Sequence, residues 1–252
     1  MLKNKNVIVT GCNKGIGKSI LEVFARNNAN IFACARSNNT EFAENIDKLK
    51  KKYNINIFPI FFDLNNEKEI AEGFEKIRNY NININVLVNN AASIHNSIFE
   101  MSSLKKFKEI FEINFFSQIK IIQHSLKMMK KIKNSSIINI SSTSAEDNNF
   151  GRSIYSSSKA SLESLTKSLC NELSEYKIRV NAIAPGLTKT DMMTDNTPKE
   201  IIELIEKKCP LKRLANPDEI ANVALFLASD LSSYVNGQII RVDGGIKYSD
   251  RV

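Results

Sequence analysis

The stretch "VIVTGCNKGIGKSI", residues 7–20, constrains the fold more than any other part of the chain. A β-branched apolar run ends on Thr10, a turn carrying Gly11, Gly15 and Gly17 follows, and a helical pattern begins at once. Glycines let the backbone turn sharply and approach a ligand closely. The helix behind them presents N–H groups with no intrahelical partner, at the positive end of its dipole. Strand, glycine turn and helix in that order open a unit that seats a pyrophosphate. Glycines also serve turns and helix packing for structural reasons alone, so the rest of the chain must carry the reading.

Short β-branched runs at Asn6–Thr10, Asn30–Cys34, Asn56–Phe61, Val86–Asn89, Ser136–Ser141, Arg179–Ile183 and Gln238–Val242 alternate with helical periodicity. The helical segments lie at about 16–27, 40–52, 66–79, 104–131, 154–175 and 217–229. This alternation predicts an α/β fold, a Rossmann-like doubly wound parallel seven-stranded sheet with helices on both faces. Right-handed crossovers put the ligand crevice at the carboxyl ends of the strands. The length of 252 residues fits a single domain over 1–252. Pro198 followed by "KEIIELIEKK" predicts one short extra helix in a lid-like insertion at about 187–215.

Which dinucleotide fits depends on the end of the second strand, where a carboxylate would accept from a ribose 2′-hydroxyl and repel a 2′-phosphate. The residues there are Ala35, Arg36 and Ser37, without an acid, and Lys14 adds a cation inside the glycine turn. Two cations and no carboxylate predict NADP(H). The plainer reading, that Arg36 and Lys14 are merely solvated, stays open because an isolated surface cation means little.

Composition excludes several function classes. The net charge is +8, but the lysines share helix faces with acids, as in "EIIELIEKK", and no aromatic-basic interleaving points to nucleic acid. No apolar run approaches a membrane span, and the N-terminus enters a strand without a secretory h-region, so a cytoplasmic protein without membrane attachment is expected. Cys12, Cys34, Cys170 and Cys209 stand apart from one another and from any histidine at ligand spacing, which predicts reduced thiols and no metal site.

Further motifs carry a family resemblance. "TGCNKGIG" resembles the TGxxxGxG of the short-chain dehydrogenases/reductases, "NNAA" (89–92) their NNAG, "YSSSK" (155–159) their YxxxK, and "APGLTKTDM" (184–192) their PG-containing cofactor loop. The resemblance spans essentially the whole chain. The tail "PLKRLANPDEIANVALFLASDLSSYVNGQIIRVDGG" closely resembles the 3-oxoacyl-[acyl-carrier-protein] reductases and their sugar- and polyol-oxidising relatives.

Carried over by position, the resemblance implies a catalytic tetrad of Asn114, Ser142, Tyr155 and Lys159. It implies a cofactor site that begins with Gly11, Asn13, Lys14, Gly15, Ile16 and Gly17, continues through Arg36 and Ser37, and has Asp63 and Leu64 bordering the adenine. Asn90, Ala91 and Ala92 would line it, and Pro185, Gly186, Leu187, Thr188 and Thr190 would hold the nicotinamide end together with Tyr155 and Lys159. Ala92 stands where the family has glycine, which would crowd the cofactor slightly.

Reducing a ketone needs a hydride on carbon and a proton on oxygen, hence an acid able to give up a proton near neutral pH. An unperturbed tyrosine, with a pKa of about 10, is poorly matched to that task. Lys159, one helical turn from Tyr155, shares its face, and its charge with that of the oxidised nicotinamide would lower the tyrosine. By resemblance Lys159 also binds the nicotinamide ribose. Ser142 in "INISSTS" would donate to the substrate oxygen; Ser141 is its rival, and the family spacing before the tyrosine selects Ser142. Asn114, inside the 104–131 helix, would by analogy hold a water that relays protons through Lys159.

The leading substrate is a 3-oxoacyl group on acyl carrier protein, as in fatty acid synthesis, and a basic surface suits an acidic carrier. Lys130, Lys131 and Lys133 are candidates for steering it. Tyr176 stands where those reductases tend to have a basic residue, so a sugar, polyol or other small keto substrate remains open. Arg152 would then be a candidate anchor for a carboxylate or phosphate, with His95, Phe150, Met192 and Met193 as further pocket candidates, while His124 reads as a plain helix-face residue. A non-catalytic NADP-sensing protein is the rival from another class. The resemblance also implies a homo-oligomer, dimer or tetramer, packed through the 104–131 and 154–175 helices.

Overall fold

The computed structural model describes residues 1–147 and 149–246. Its strands are β1 (Asn6–Thr10), β2 (Asn30–Ala35), β3 (Ile57–Phe61), β4 (Val86–Asn89), β5 (Ser135–Ile140), β6 (Ile178–Pro185) and β7 (Ile239–Val242). They form one parallel sheet in the order β3-β2-β1-β4-β5-β6-β7. The chain winds outward from β1 to β3 through α1 (Gly15–Arg26) and α2 (Thr40–Tyr53), then returns through α3 (Glu67–Arg78) to place β4 on the other side of β1. That reversal opens a crevice at the carboxyl ends of β1 and β4.

Side chains alternate across the sheet and divide the core between its two faces. Val7 and Val9 of β1, Val86 and Val88 of β4 and Ile138 and Ile140 of β5 pack with Leu21, Phe24 and Phe42 of α1 and α2. Ile8 and Leu87, each between two of those, and Ile137, just before Ile138, pack instead with Ile70, Phe74 and Ile121 on the opposite face. His124 belongs to this second side, stacked on Phe74 at 5.3 Å between ring centroids.

The expected 104–131 helix is interrupted. It runs as α4 (Leu104–Phe111), a π-turn (Glu112–Phe116) and α5 (Ser117–Met129). After β5 come α6 (Ser144–Asp147) and the long α7 (Ser153–Glu172). The excursion after β6 holds two helices where one was expected, α8 (Asp191–Asn196) and α9 (Lys199–Lys208), and α9 follows Pro198 as the sequence predicted. Its ends are pinned together by a bridge between Thr188 and Ala215, and α10 (Pro217–Ala228) then packs on α1. Among the described residues no helix is long and apolar enough to cross a membrane.

Candidate active site

The glycine turn is built around Thr10 and Asn90. Thr10 Oγ1 accepts from the backbone N–H groups of Asn90 (2.9 Å) and Ala91 (3.0 Å), and the Asn90 side chain donates to the carbonyls of Thr10 (2.9 Å) and Gly11 (3.3 Å). The ends of β1 and β4 are thereby locked side by side. Gly15 has φ +56°, a conformation that favours glycine. Gly17 is needed for a different reason, since a Cβ there would lie 2.0 Å from the Gly11 carbonyl oxygen. Lys14, the N-cap of α1, gives no side-chain cap, and the first turn of α1 carries no acid. Free N–H groups and the positive end of the dipole therefore face the crevice, which is what the diphosphate of a dinucleotide requires.

A cavity of about 1230 Å³ runs from this turn across the carboxyl edge of the sheet. At one end it is bordered by Arg36 after β2 and by Asp63 and Leu64 after β3. Its middle is lined by Gly11, Asn13, Lys14, Gly15, Ile16, Gly17, Asn90, Ala91 and Ala92, and its far end by Ser142, Tyr155, Lys159, Pro185, Gly186, Leu187, Thr188 and Thr190. Phe150, Arg152, Met192 and Met193 lie on the outer wall of that far end. Three sequence candidates do not line the cavity. Ser37 is exposed past the end of β2; His95 is passed over while its neighbours Ile94 and Asn96 line the wall; Asn114 is wholly buried behind it.

Tyr155 and Lys159 occupy one face of α7, both almost fully buried. Ser142 stands near enough to the Tyr155 hydroxyl to favour its ionised form, and accepts from the Ser144 N–H at 3.2 Å. Lys159 Nζ donates to the Ile140 carbonyl at 2.8 Å and stands 5.8 Å from the centre of the Tyr155 ring. Burial holds the lysine down to about 8, with the Glu163 carboxylate opposing. Burial raises Tyr155, against smaller lowering effects from Ser142 and the Arg152 charge. In the protein without cofactor the influences that oppose this rise come from Ser142 and Arg152, while the Lys159 ammonium is engaged by the Ile140 carbonyl.

Ser141, the rival of Ser142, also borders the cavity, but its hydroxyl is committed to Glu163 Oε1, to which it donates at 2.6 Å. Asn139 Nδ2 donates to Thr166 Oγ1 at 2.9 Å. With the Lys159 bond to Ile140, these contacts clamp Asn139 and Ile140 of β5 and the following Ser141 to α7. Asn114 serves the same end: its amide donates to Ser93 O (2.8 Å) and Ser158 Oγ (3.0 Å), and its Oδ1 accepts from Ser93 N–H (2.8 Å). Both amide hydrogens are thus used in joining the loop after β4 to α7, so the side chain positions the site rather than lining it.

Sequence reasoning missed Arg241 of β7, whose guanidinium bonds Glu146 (3.0 Å), Asp147 (3.0 Å) and Asp243 (2.9 Å) at the cavity edge. No motif marks it, because two of its partners, Asp147 and Glu146, are 94 and 95 residues away and the β6–β7 pairing helps to bring them together. The steering cluster Lys130, Lys131 and Lys133 precedes β5, at the amino edge of the sheet and opposite the cavity mouth, so it cannot seat a carrier beside the cleft of the same copy. Lys130 instead lies 3.7 Å over the Tyr176 ring, the residue that replaces the basic one expected there. Among the described residues no group of three or more His, Cys, Asp or Glu side chains gathers at metal-binding distance, and all four cysteines are free thiols.

Known proteins match this arrangement along nearly the whole chain. The family model described as enoyl-(acyl carrier protein) reductase matches residues 11–247. The 3-oxoacyl-[acyl-carrier-protein] reductase FabG of Aquifex aeolicus is 36% identical over 97% of this chain and 98% of its own length. A 3alpha-hydroxysteroid dehydrogenase of Mediterraneibacter gnavus is 34% identical, over 98% of each. The crystal structure of L-sorbose reductase from Gluconobacter frateurii, complexed with NADPH and L-sorbose, superimposes with a TM-score of 0.89 at 27% identity, covering 97% of each chain. Fold, motif order and these end-to-end similarities agree: the chain belongs to the short-chain dehydrogenase/reductase family, oxidoreductases acting on CH–OH and C=O groups.

Proposed function

We propose that the protein is an NADPH-dependent reductase of 3-oxoacyl groups carried on acyl carrier protein, forming the 3-hydroxyacyl product in fatty acid synthesis. The grouping of Tyr155, Ser142 and Lys159 at the floor of a dinucleotide-sized cleft carries the reductase reading. Support for the acyl substrate is the 36% identity, over nearly all of both chains, to a protein named for that activity.

The cofactor, when bound, supplies a hydride to the carbonyl carbon. The N-terminus of α1 and the glycine turn would hold its diphosphate, and Arg36 with Lys14 a 2′-phosphate, there being no carboxylate at the end of β2 to repel one. Tyr155 gives its proton to the carbonyl oxygen, and Ser142 donates a hydrogen bond to the same oxygen as negative charge grows on it. Lys159, fixed through Ile140, keeps positive charge below the tyrosine as the phenolate forms. The 187–215 excursion acts as a lid: α8 and α9 wall the cavity yet contain no buried residue, and Asn96 Nδ2 donates to Asn196 O at 2.8 Å.

The test is NADPH oxidation with acetoacetyl carrier protein beside a panel of keto sugars. Turnover of the acyl substrate is expected; inactivity on it together with robust sugar turnover would favour the reading suggested by the sorbose reductase. Tyr155→Phe is expected to lower turnover by roughly a thousandfold or more while NADPH still binds.

A further inference from the structure

Arg152 is a cation that the fold leaves unanswered. It is the N-cap residue of α7, and its backbone is held on both sides, through its own N–H to Asn149 O at 3.2 Å and its carbonyl to Ser156 N–H at 2.8 Å. The preceding Gly151 has φ +70° and accepts from Ser97 N–H at 2.8 Å, which fixes the turn against the loop after β4. The guanidinium forms part of the cavity wall and is half-buried, yet it makes no hydrogen bond or ion pair with any described residue. Other cations on this wall are placed differently. Arg241 is bound by three carboxylates and Lys159 by a carbonyl, while Lys14 is exposed at the glycine turn and Arg36 at the other end.

The nearby acids do not neutralise Arg152. Asp147 is engaged by Arg241, while Asp191 and Asp195 stand exposed on α8. Partial burial with no counter-charge beside it disfavours the charged guanidinium and lowers its affinity for its proton, while its nitrogens stay open to the cavity. Such an arrangement gains nothing for the fold and is explained by a ligand that brings the counter-charge. The position of that ligand follows from α7. Arg152 and Tyr155 are three residues apart on one side of the helix start, and the guanidinium charge is felt at the tyrosine hydroxyl. An anion held by Arg152 thus lies beside the carbonyl that Tyr155 protonates.

We propose that Arg152 is the anchor for a substrate carboxylate, and that the cleft accepts free short-chain keto acids of the 2-oxo and 3-oxo classes, held by a bidentate guanidinium–carboxylate pair. This rests on the reductase reading of the same cleft but not on the carrier protein as substrate. The ketone carbon gains a hydride and its oxygen the Tyr155 proton, so a 3-oxo acid becomes a 3-hydroxy acid while NADPH becomes NADP⁺. Arg152 is specificity-determining, since it grips the end of the substrate that does not react.

The test pairs acetoacetate with methyl acetoacetate, the neutral ester of the same skeleton, and pyruvate serves as the 2-oxo probe. Calorimetric titration of acetoacetate into the protein saturated with NADP⁺ reads binding without turnover. Binding is expected in the wild type, with Kd raised about tenfold or more in Arg152→Gln and partly restored in Arg152→Lys. The kcat/KM ratio of acid over ester is expected to exceed tenfold and to collapse toward one in Arg152→Gln. The proposal is overturned if acetoacetate does not bind the wild type, or if its Kd is unchanged in Arg152→Gln. It is also overturned if that variant slows acid and ester equally with a displaced pH profile, which would mean that Arg152 acts only on the Tyr155 proton. Reduction of acetoacetyl carrier protein without binding of acetoacetate sinks this inference alone, whereas failure to reduce any of these carbonyl compounds sinks the functional reading as well.

Discussion

Lys159 is held in its place against its own solvation. Burial brings its pKa from 10.5 to about 8, so between those values the unfolded chain binds a proton that the folded one does not. Stability therefore rises with pH across that window, and below about 8 the folded protein bears a constant penalty on the order of 3 kcal/mol. Lys159→Met is expected to unfold at or above the wild-type temperature at pH 7 while losing about a hundredfold or more of its turnover; a clear drop in melting temperature contradicts this. Reduction by the wild type is expected to decline as pH rises through about 8, where the lysine loses its charge, and a level profile well beyond that point speaks against its role. Arg36→Asp should exchange the preference for NADPH over NADH, and an unchanged ratio of Michaelis constants refutes the placement of the 2′-phosphate. Single residues were legible in the sequence where a motif fixes their spacing, as for Tyr155 and Lys159. His95 and Ser37 fall outside the cavity lining because loop residues near a cavity do not all face it, and nothing in spacing tells which do.

At the scale of elements, the site depends on how α7 is clamped to β5. Asn139, Ile140 and Ser141, three consecutive residues, hold Thr166, Lys159 and Glu163 on one side of α7. Thr166→Val leaves the buried Asn139 amide without its acceptor, and denaturant unfolding is expected to show a loss of about 1–3 kcal/mol at unchanged m-value. A neutral result would show that the clamp is dispensable. The strands were legible from β-branched runs buried on both faces, and most helices from their periodicity. The π-turn at Glu112–Phe116 was not, because "EINFF" continues the helical pattern and only tertiary contacts of Asn114 mark the place. The mildly unfavourable Asn inside a helix was the one local hint. Short α6 and α8 also escaped, being too short to show an amphipathic period.

For the whole molecule, a doubly wound sheet followed from alternation alone, but the strand order and the pairing of β6 with β7 came only with the structure. Those features assemble the cleft from residues between Thr10 and Ile246. Exposed apolar side chains include Leu104 and Phe116 around α4 and α5 and Leu231 and Tyr234 before β7, besides others such as Phe150 and Leu211 elsewhere on the surface. Scattered apolar residues are ordinary, whereas grouped ones suggest contact surfaces, and light scattering is expected to give a dimer or tetramer. A monomer across the working concentration range would contradict that expectation.

The central claim is that Tyr155, set by Ser142 and Lys159, protonates a carbonyl oxygen as NADPH is consumed. Single-turnover NADPH oxidation with acetoacetyl carrier protein, run side by side on the wild type and on Tyr155→Phe saturated with NADPH, tests it most directly. Rapid cofactor oxidation in the wild type and almost none in the variant is the predicted result; equal rates in the two proteins would contradict it.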